Sequence, residues 1–324
     1  MATAIIEVLA TGTHTSIQCL NHDDWYHPHA NQIGAIDCVA AFAANTLLGQ
    51  HANTPLLEIT HTGPTLKFSG PSAIALSGAE LPIQVGQRRY HSGTCIPVRA
   101  GQTVHIGKSN LGYRGYLAIK GGVRLFPEQR LLTAQTHARQ APTHPLFRRN
   151  TPLYLGQRCA ITPYYESPPK CQSWIGLSRP ITPVLAVCEG AHSHRIKGGF
   201  HQLCQQPWQL EARQPNRQRL RLRGEPITHQ GLNVSNSNGL YSGRIQLLPN
   251  GLPLLLSGPP CKADRHLQIA QISPSSASLM AQLHPRQELW LEPIDRREAQ
   301  RRLAALQQCL KRFHYHCGRI WQSA

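Results

Sequence analysis

The strongest chemical signal in the chain is the run NRQRLRLRGE at residues 216–225. Read as a strand, it turns Leu220 and Leu222 to one side and Arg219, Arg221 and Arg223 to the other. A guanidinium offers paired donors in a fixed fork, so such a row suits a carboxylate or phosphate. A solvated strand face is the plainer alternative, and the run by itself leaves both open. Cys19, His22, His27, His29 and Cys38 have the soft ligands that zinc prefers, but their spacing fits no common ligand pair. With eighteen histidines in the chain, clusters also arise by chance. The same holds for His192 with His194, and for His314, His316 and Cys317. GQTVHIGKS (101–109) imitates a phosphate loop, yet five residues separate Gly101 from Gly107 where four are needed, and VHI reads as strand. No nucleophile, general base or metal site is recognisable.

These groups sit in a chain of 324 residues, long enough for two domains or one large one. A hydrophobic content of 40%, only six Phe, and 25 Pro with 26 Gly favour short strands over long helices. The formal charge of +17 fits an anionic partner or a general compositional bias. Neither a docking helix nor interleaved aromatics accompanies it, so no nucleic-acid partner is expected. MATAIIEVLA reads as a first strand, not a leader, and the longest apolar stretch, near 35–48, is too short to span a bilayer. The expectation is a cytoplasmic protein with no membrane contact, its ten cysteines reduced and free of metal.

The best-ordered elements lie between residues 15 and 80. Asp37 can cap a helix whose apolar positions Val39, Phe42, Ala43 and Leu47 recur at helical spacing, and Gly49 suits its end. LLEIT, TLKFS and AIALS follow as strands between Gly-Pro and Ser-Gly breaks. PIQVG, TCIPVRAGQTVHIG and YRGYLAIKGGV continue the β pattern. Residues 124–180, rich in Pro, Arg and His, read as a loop-rich crossover. A second β-rich stretch runs from ITPVLAVCEG to LWLEPI. The chain then ends in an amphipathic helix with Ala299, Leu303, Leu306, Leu310 and Phe313 on one stripe.

Much of this pattern resembles one family. Gln18, Leu20, Gly34, Ala35, Asp37, Asn45, Leu47, Leu48, Gly49, Leu57, Glu58, Thr60, Gly63, Pro64, Leu66, Phe68, Ile74, Ala75, Leu76, Gly78 and Ala79 fall in register without a gap. The pattern they match is that of the biotin-dependent carboxyltransferase family, which includes allophanate hydrolase subunit 2 and the C-type subunit of 5-oxoprolinase. Further on, Asn216, Arg217, Arg221 and Leu222 match N-R-M-G-Y-R-L. Gly243, Ile245, Gln246, Pro249, Gly251 and Pro253 match G-x-I-Q-x-P-P-x-G-x-P. The chain departs where the family has D-L-G-R, here Cys19, Leu20, Asn21 and His22. It departs again where D-x-Q-T-x-G-G-Y-P is replaced by a stretch containing Asp264 and Arg265.

The resemblance implies a mainly β fold of two cyclophilin-like barrel lobes, a few short helices and a C-terminal helix. The expected division is 1–165, 166–294 and 295–324. It implies candidate ligand-binding residues Gln18, His22, Asp37, Asn216, Arg217, Arg221 and Gln246, facing a small anionic substrate. The implied activity is that of one component of an ATP-dependent 5-oxoprolinase, converting 5-oxoproline, ATP and water to glutamate. It would act with a B-type, kinase-inhibitor-like partner subunit, and ATP would be used through the complex. One alternative is a catalytically reduced scaffold or regulator. The other is a carboxyltransferase of the urea amidolyase type, for which biotin is the cofactor. The freestanding length favours the 5-oxoprolinase subunit.

Overall fold

The computed structural model describes residues 5–20, 34–123, 148–150, 152–155, 165–166, 180–212, 219–230, 243–257 and 266–322. His22, Asn216 and Arg217 lie outside these residues. So do three cysteines and the segment that departs from the family pattern around Asp264.

The first lobe holds twelve strands: β1 (Ile5–Ala10), β2 (His14–Gln18), β3 (Leu56–Thr60), β4 (Thr65–Phe68), β5 (Ser72–Glu80), β6 (Ile83–Val85), β7 (Arg88–Tyr90), β8 (Thr94–Val98), β9 (Thr103–Ile106), β10 (Leu111–Ile119), β11 (Pro152–Tyr154) and β12 (Tyr165–Glu166). They form two six-stranded sheets, in the orders β11-β1-β4-β9-β6-β7 and β12-β8-β5-β10-β3-β2. The alternation of side chains decides what lies between and outside these sheets. On β5 and β10, Ile74, Leu76, Leu117 and Ile119 point into the core that the two sheets share. Their neighbours Ala73, Ala75, Tyr116 and Ala118 point the other way, towards helix α1 (Cys38–Leu47). Small residues on both surfaces bring α1 close, since it presents Ala40, Ala41, Ala43 and Ala44. Every residue from Val39 to Leu47 is buried, as expected of a helix covered on all sides. Asp37 caps it, its carboxylate accepting from the Ala40 N–H at 3.0 Å. Gly49 follows in the left-handed region at φ 58°.

The second lobe is built from β13 (Val184–Glu189), β14 (Trp208–Leu210), β15 (Arg219–Arg223), β16 (Arg244–Leu247), β17 (Pro253–Leu256), β18 (Leu267–Ile272) and β19 (Glu288–Pro293). They close into a barrel in the order β13-β18-β16-β17-β15-β14-β19, sealed by the parallel pairing of β13 with β19. Closure leaves no unpaired edge. Leu220, Leu222, Ile245, Leu247, Leu255 and the fully buried Trp208 fill the interior. The Trp208 indole donates to the Leu203 carbonyl at 2.8 Å.

Two helices join the lobes. Short α2 (Ala277–Ala281) ends at Gln282, on the boundary. Helix α3 (Arg296–Gln322) leaves the barrel after β19 and runs back across the first lobe. The apolar stripe expected from sequence is half-buried from Ala299 to Leu306, then fully buried at Leu310 and Phe313 and extended to Cys317. These last three residues complete the layer around α1. At the far end, the Trp321 indole donates to the Leu47 carbonyl at 3.0 Å, and its ring lies where any Cβ on Gly49 would fall. Lys120 stacks on that ring, with Nζ 3.7 Å from its centre, and donates to the Leu48 carbonyl. Trp321 of the C-terminal helix and Lys120 of the first lobe thus satisfy two carbonyls at the end of α1. Among the described residues no helix is long and apolar enough to cross a membrane.

Candidate functional site

A polar row crosses the otherwise apolar layer under α1. The register aligns Ser16 on β2, Glu58 on β3, Tyr116 on β10 and Ser77 on β5, all buried. Gln18, on the same face of β2, donates to the Ser16 hydroxyl at 2.9 Å. Tyr116 donates to Glu58 Oε2 at 2.9 Å and accepts from the Asp37 N–H at 2.8 Å. The Ile36 N–H donates to the same Glu58 oxygen at 3.2 Å. Burial, and then the nearby Glu58 and Asp37 carboxylates, hold the Tyr116 phenol well above its ordinary pKa. It therefore stays protonated and remains a donor to Glu58.

This row opens onto the junction of the lobes through Gln282. Gln282 Oε1 accepts from the N–H groups of Tyr113 and Arg114, each at 3.1 Å. Its Nε2 donates to Asp37 Oδ2 at 2.7 Å and to the Arg114 carbonyl at 2.9 Å. All four hydrogen-bonding positions of the amide are thus used. The Arg114 guanidinium in turn donates to the Ala281 carbonyl. Gly78, at φ 87°, makes room for this contact, since a Cβ there would lie 2.5 Å from the Arg114 carbonyl oxygen. Beside it, His61 and Tyr113 of the first lobe each meet the His284 ring of the second edge-on, at 5.2 Å between centroids. His61 holds a left-handed backbone at φ 63°, and its Nδ1 is buried with no partner among the described residues. Burial, then His284 and Lys108, push its pKa below the usual histidine value.

The outer face of the barrel is arranged differently. Arg221, Leu254, Gln246 and Gln268 align across β15, β17, β16 and β18, with Arg219, Leu256 and Arg244 in the row beside them. All point away from the barrel core. Arg221 is exposed, Leu254 is 3% exposed and Gln246 is 0% exposed, so the face passes from open to closed within two strands. Neither the oxygen nor the nitrogen of the Gln246 amide has a hydrogen-bond partner among the described residues. A buried amide in that state costs about 1–3 kcal/mol by protein mutational scales.

Of the residues expected from sequence, Gln18 joins the polar row under α1 through Ser16, and Asp37 joins it through Tyr116 and Gln282. Arg221 and Gln246 share a register row in the other lobe. The strand expected over RLRLR is present with its leucines inward, and VHI of the rejected phosphate loop lies in β9. Sequence reasoning did not single out Arg114, Tyr116 or Gln282 as site residues. For the first two a signal exists, because polar residues recur at period two on one face of YRGYLAI. Nothing local marks Gln282, whose partner Asp37 is 245 residues away.

None of the seven described cysteines forms a disulfide. Burial pushes the Cys204 thiol up to about 11 and raises that of Cys188, so neither is a thiolate nucleophile at neutral pH. Among the described residues no group of three or more His, Cys, Asp or Glu is placed to hold a metal.

A sheet-and-helix lobe locked to a closed seven-stranded barrel, with polar groups buried at the junction, defines a two-lobed β protein of a particular kind. The family described as "Carboxyltransferase domain, subdomain A and B" matches residues 31–293, and the chain belongs to that family. It is 24% identical over 285 residues to the C-type 5-oxoprolinase subunit of Escherichia coli, covering 86% of this chain and 88% of that protein. It is 31% identical over 119 residues to the urea amidolyase of Saccharomyces cerevisiae, covering 36% of this chain and 6% of that protein. Among solved structures, the Kluyveromyces lactis urea amidolyase matches 97% of this chain at 20% identity, with a TM-score of 0.76. The chain spans 20% of that structure's length, so the likeness concerns the fold of one part of it.

Proposed function

We propose that the chain is the C-type subunit of an ATP-dependent 5-oxoprolinase, acting with a B-type partner and a lactam-opening subunit. The observation that carries this reading is end-to-end similarity. The alignment with the E. coli 5-oxoprolinase protein spans 88% of its length, whereas the yeast urea amidolyase is matched over 6% of its length. In this reading residues 1–165 and 166–294 form the two subdomains, and the 295–324 helix ties them together. On the same reading ATP is used through the complex, the segment GQTVHIGKS lacking the spacing of a phosphate loop. The small anionic substrate is then bound by residues drawn from Gln18, Asp37, Arg221 and Gln246, together with His22, Asn216 and Arg217, which lie outside the described residues.

The test is reconstitution. The isolated chain is expected to release no glutamate from 5-oxoproline and ATP, and turnover is expected only when both partner subunits are added. Turnover by the isolated chain would overturn the reading. A second reading, carboxyl transfer from carboxybiotin to urea, is favoured by the likeness over 97% of this chain to the K. lactis urea amidolyase. Transfer of labelled carboxylate from carboxybiotin to urea, with no glutamate formed, would select it. Stable complex formation with neither activity would select the scaffold.

A further inference from the structure

The lobes meet through two kinds of contact, which respond differently to a proton. The Gln282 amide does not titrate, and all its hydrogen-bonding positions are in use. The ring contact beside it rests on histidine. His61 of the first lobe lies 5.2 Å from the His284 ring of the second and 5.9 Å from Tyr113, between centroids. A neutral imidazole can keep its lone pair at Nδ1 and donate from Nε2, whereas the charged ring carries an N–H at both. His61 Nδ1 is buried and has no acceptor among the described residues. A charged His61 held in this position therefore buries an unmet donor.

The surrounding charge opposes that proton as well. The charged groups that act on His61 are His284 and Lys108, both cations when ionised. On the Tyr113 side stands a third, the Arg114 guanidinium, 5.6 Å from the centre of that ring. The junction's carboxylate, Asp37, is engaged by the Ala40 N–H and by Gln282. Water is close at hand, because His284 is exposed and the contact borders on solvent.

We propose that the His61 ring is an acid-released latch between the lobes: on taking a proton it swings out of the contact with His284 and Tyr113 into water. The moving part is the side chain alone. The His61 backbone is tied, its N–H donating to the Tyr113 carbonyl at 2.9 Å and its carbonyl accepting from the Ser109 N–H at 2.7 Å. His284 is fixed on its own lobe. Its Nδ1 donates to the Pro285 carbonyl at 3.0 Å, a bond that either charge state keeps, and its backbone N–H donates to Gln287 Oε1 at 2.9 Å. In acid the junction thus keeps the Gln282 bonds and loses the ring contact next to them. The inference is independent of the 5-oxoprolinase reading, since it concerns only how the lobes touch.

The experiment is an NMR titration of the full-length chain with labelled His and Tyr, from about pH 8 to about pH 5. Cross-relaxation from the His61 ring to the His284 and Tyr113 rings is expected at the alkaline end. It is expected to vanish with the same midpoint at which the His61 ring titrates. The Tyr113 and Arg114 amides, bound by Gln282, are expected to keep their protection from exchange throughout. Lys108→Gln is expected to move the midpoint to higher pH, because it removes a like charge. His61→Asn, a residue that tolerates the left-handed backbone here, is expected to abolish the pH-dependent shift of the Tyr113 ring signals. Ring contacts that persist once His61 is charged would overturn the proposal, as would their absence at the alkaline end. Loss of Tyr113 and Arg114 protection at the same midpoint would overturn it too, since the junction would then open as a whole. An unmoved midpoint in Lys108→Gln would count the same way.

Discussion

Two buried glutamines divide the molecule's polar interior into opposite cases. Gln282, at the junction of the lobes, uses every donor and acceptor of its amide on Asp37, Tyr113 and Arg114. Gln246, on the barrel, uses none among the described residues. Burial is the same and the side chain is the same, so the difference lies in what each serves. A satisfied amide fixes a unique arrangement of elements far apart in sequence. A bare one lowers the stability of the folded protein. The polar row under α1 therefore holds the lobes together, whereas the amide on the barrel face adds nothing to that hold.

The sharpest way to break this comparison is Gln282→Leu. The substitution removes the bonds that Gln282 makes to Asp37 Oδ2, to two N–H groups and to one carbonyl. Removing one member of such a buried network costs roughly 3 kcal/mol. Chemical denaturation is expected to show this loss as a lower midpoint. Hydrogen exchange is expected to rise at the Tyr113 and Arg114 amides. A change within about 0.5 kcal/mol, the range of ordinary surface substitutions, would mean that the junction is held by packing alone.

Next in size is Trp321→Ala, which tests whether α3 clamps the first lobe or merely rests on it. It removes a half-buried indole from the end of α1, its bond to the Leu47 carbonyl, and the stacking of Lys120. A loss of about 2 kcal/mol is expected, below the range for a fully buried aromatic because the ring is partly open. Faster proteolysis of the C-terminal helix, measured on the full chain, is the second readout. An unchanged cleavage rate would count against the clamp.

How much of this was legible in the sequence follows the range of the forces involved. The α1 helix was readable because its cap, its apolar period and Gly49 are all local, and the structure has each of them in place. The arginine strand was readable for the same reason, its leucines alternating inward on β15. The stripe on α3 showed an amphipathic helix, but not that it returns to the first lobe to finish α1. That depends on contacts between residues nearly three hundred positions apart, such as Trp321 with Leu47. Gln282 was invisible for the same cause, as its four bonds all reach across the lobe boundary. At Gln246 the family pattern marked the position, yet only the structure reveals a buried amide with nothing to bond.

A smaller effect separates the junction's two sides by pH. The folded-state pKa of His61 lies below the usual 6.5, so between the two values the unfolded chain binds more protons than the folded one. Stability therefore rises with pH through that window and falls as the solution is acidified below 6.5. Burial is the main cause, with His284 and Lys108 adding like charge. His61→Gln is expected to flatten the pH dependence of unfolding in that window, with less effect near pH 8. A variant whose pH dependence matches wild type would show that the His61–Tyr113–His284 contact carries no titration-linked strain.

The smallest expected effect is also the control for the whole comparison. Arg302 on α3 makes a two-bond pair with Glu292 on β19, at 2.7 and 2.9 Å, and a further bond to Glu298 at 2.7 Å. By count of bonds it is nearly as well connected as Gln282. Its side chain is 36% exposed, however, and that of Glu292 is 40% exposed, so water and salt take over most of what is lost when the pair is broken. Arg302→Met is expected to cost about 0.5 kcal/mol, less in high salt. The pairing lowers the Glu292 pKa, chiefly through the Arg302 hydrogen bond, so its share is present above the ordinary carboxylate value and is lost as pH falls through the folded one. The Glu292 window begins at the ordinary carboxylate value of 4.5 and that of His61 at 6.5, so a pH series lowered from neutral meets the His61 window first. A cost for Arg302→Met comparable to that of Gln282→Leu would defeat the argument at its root. Bond count, not burial, would then set the value of a polar contact here.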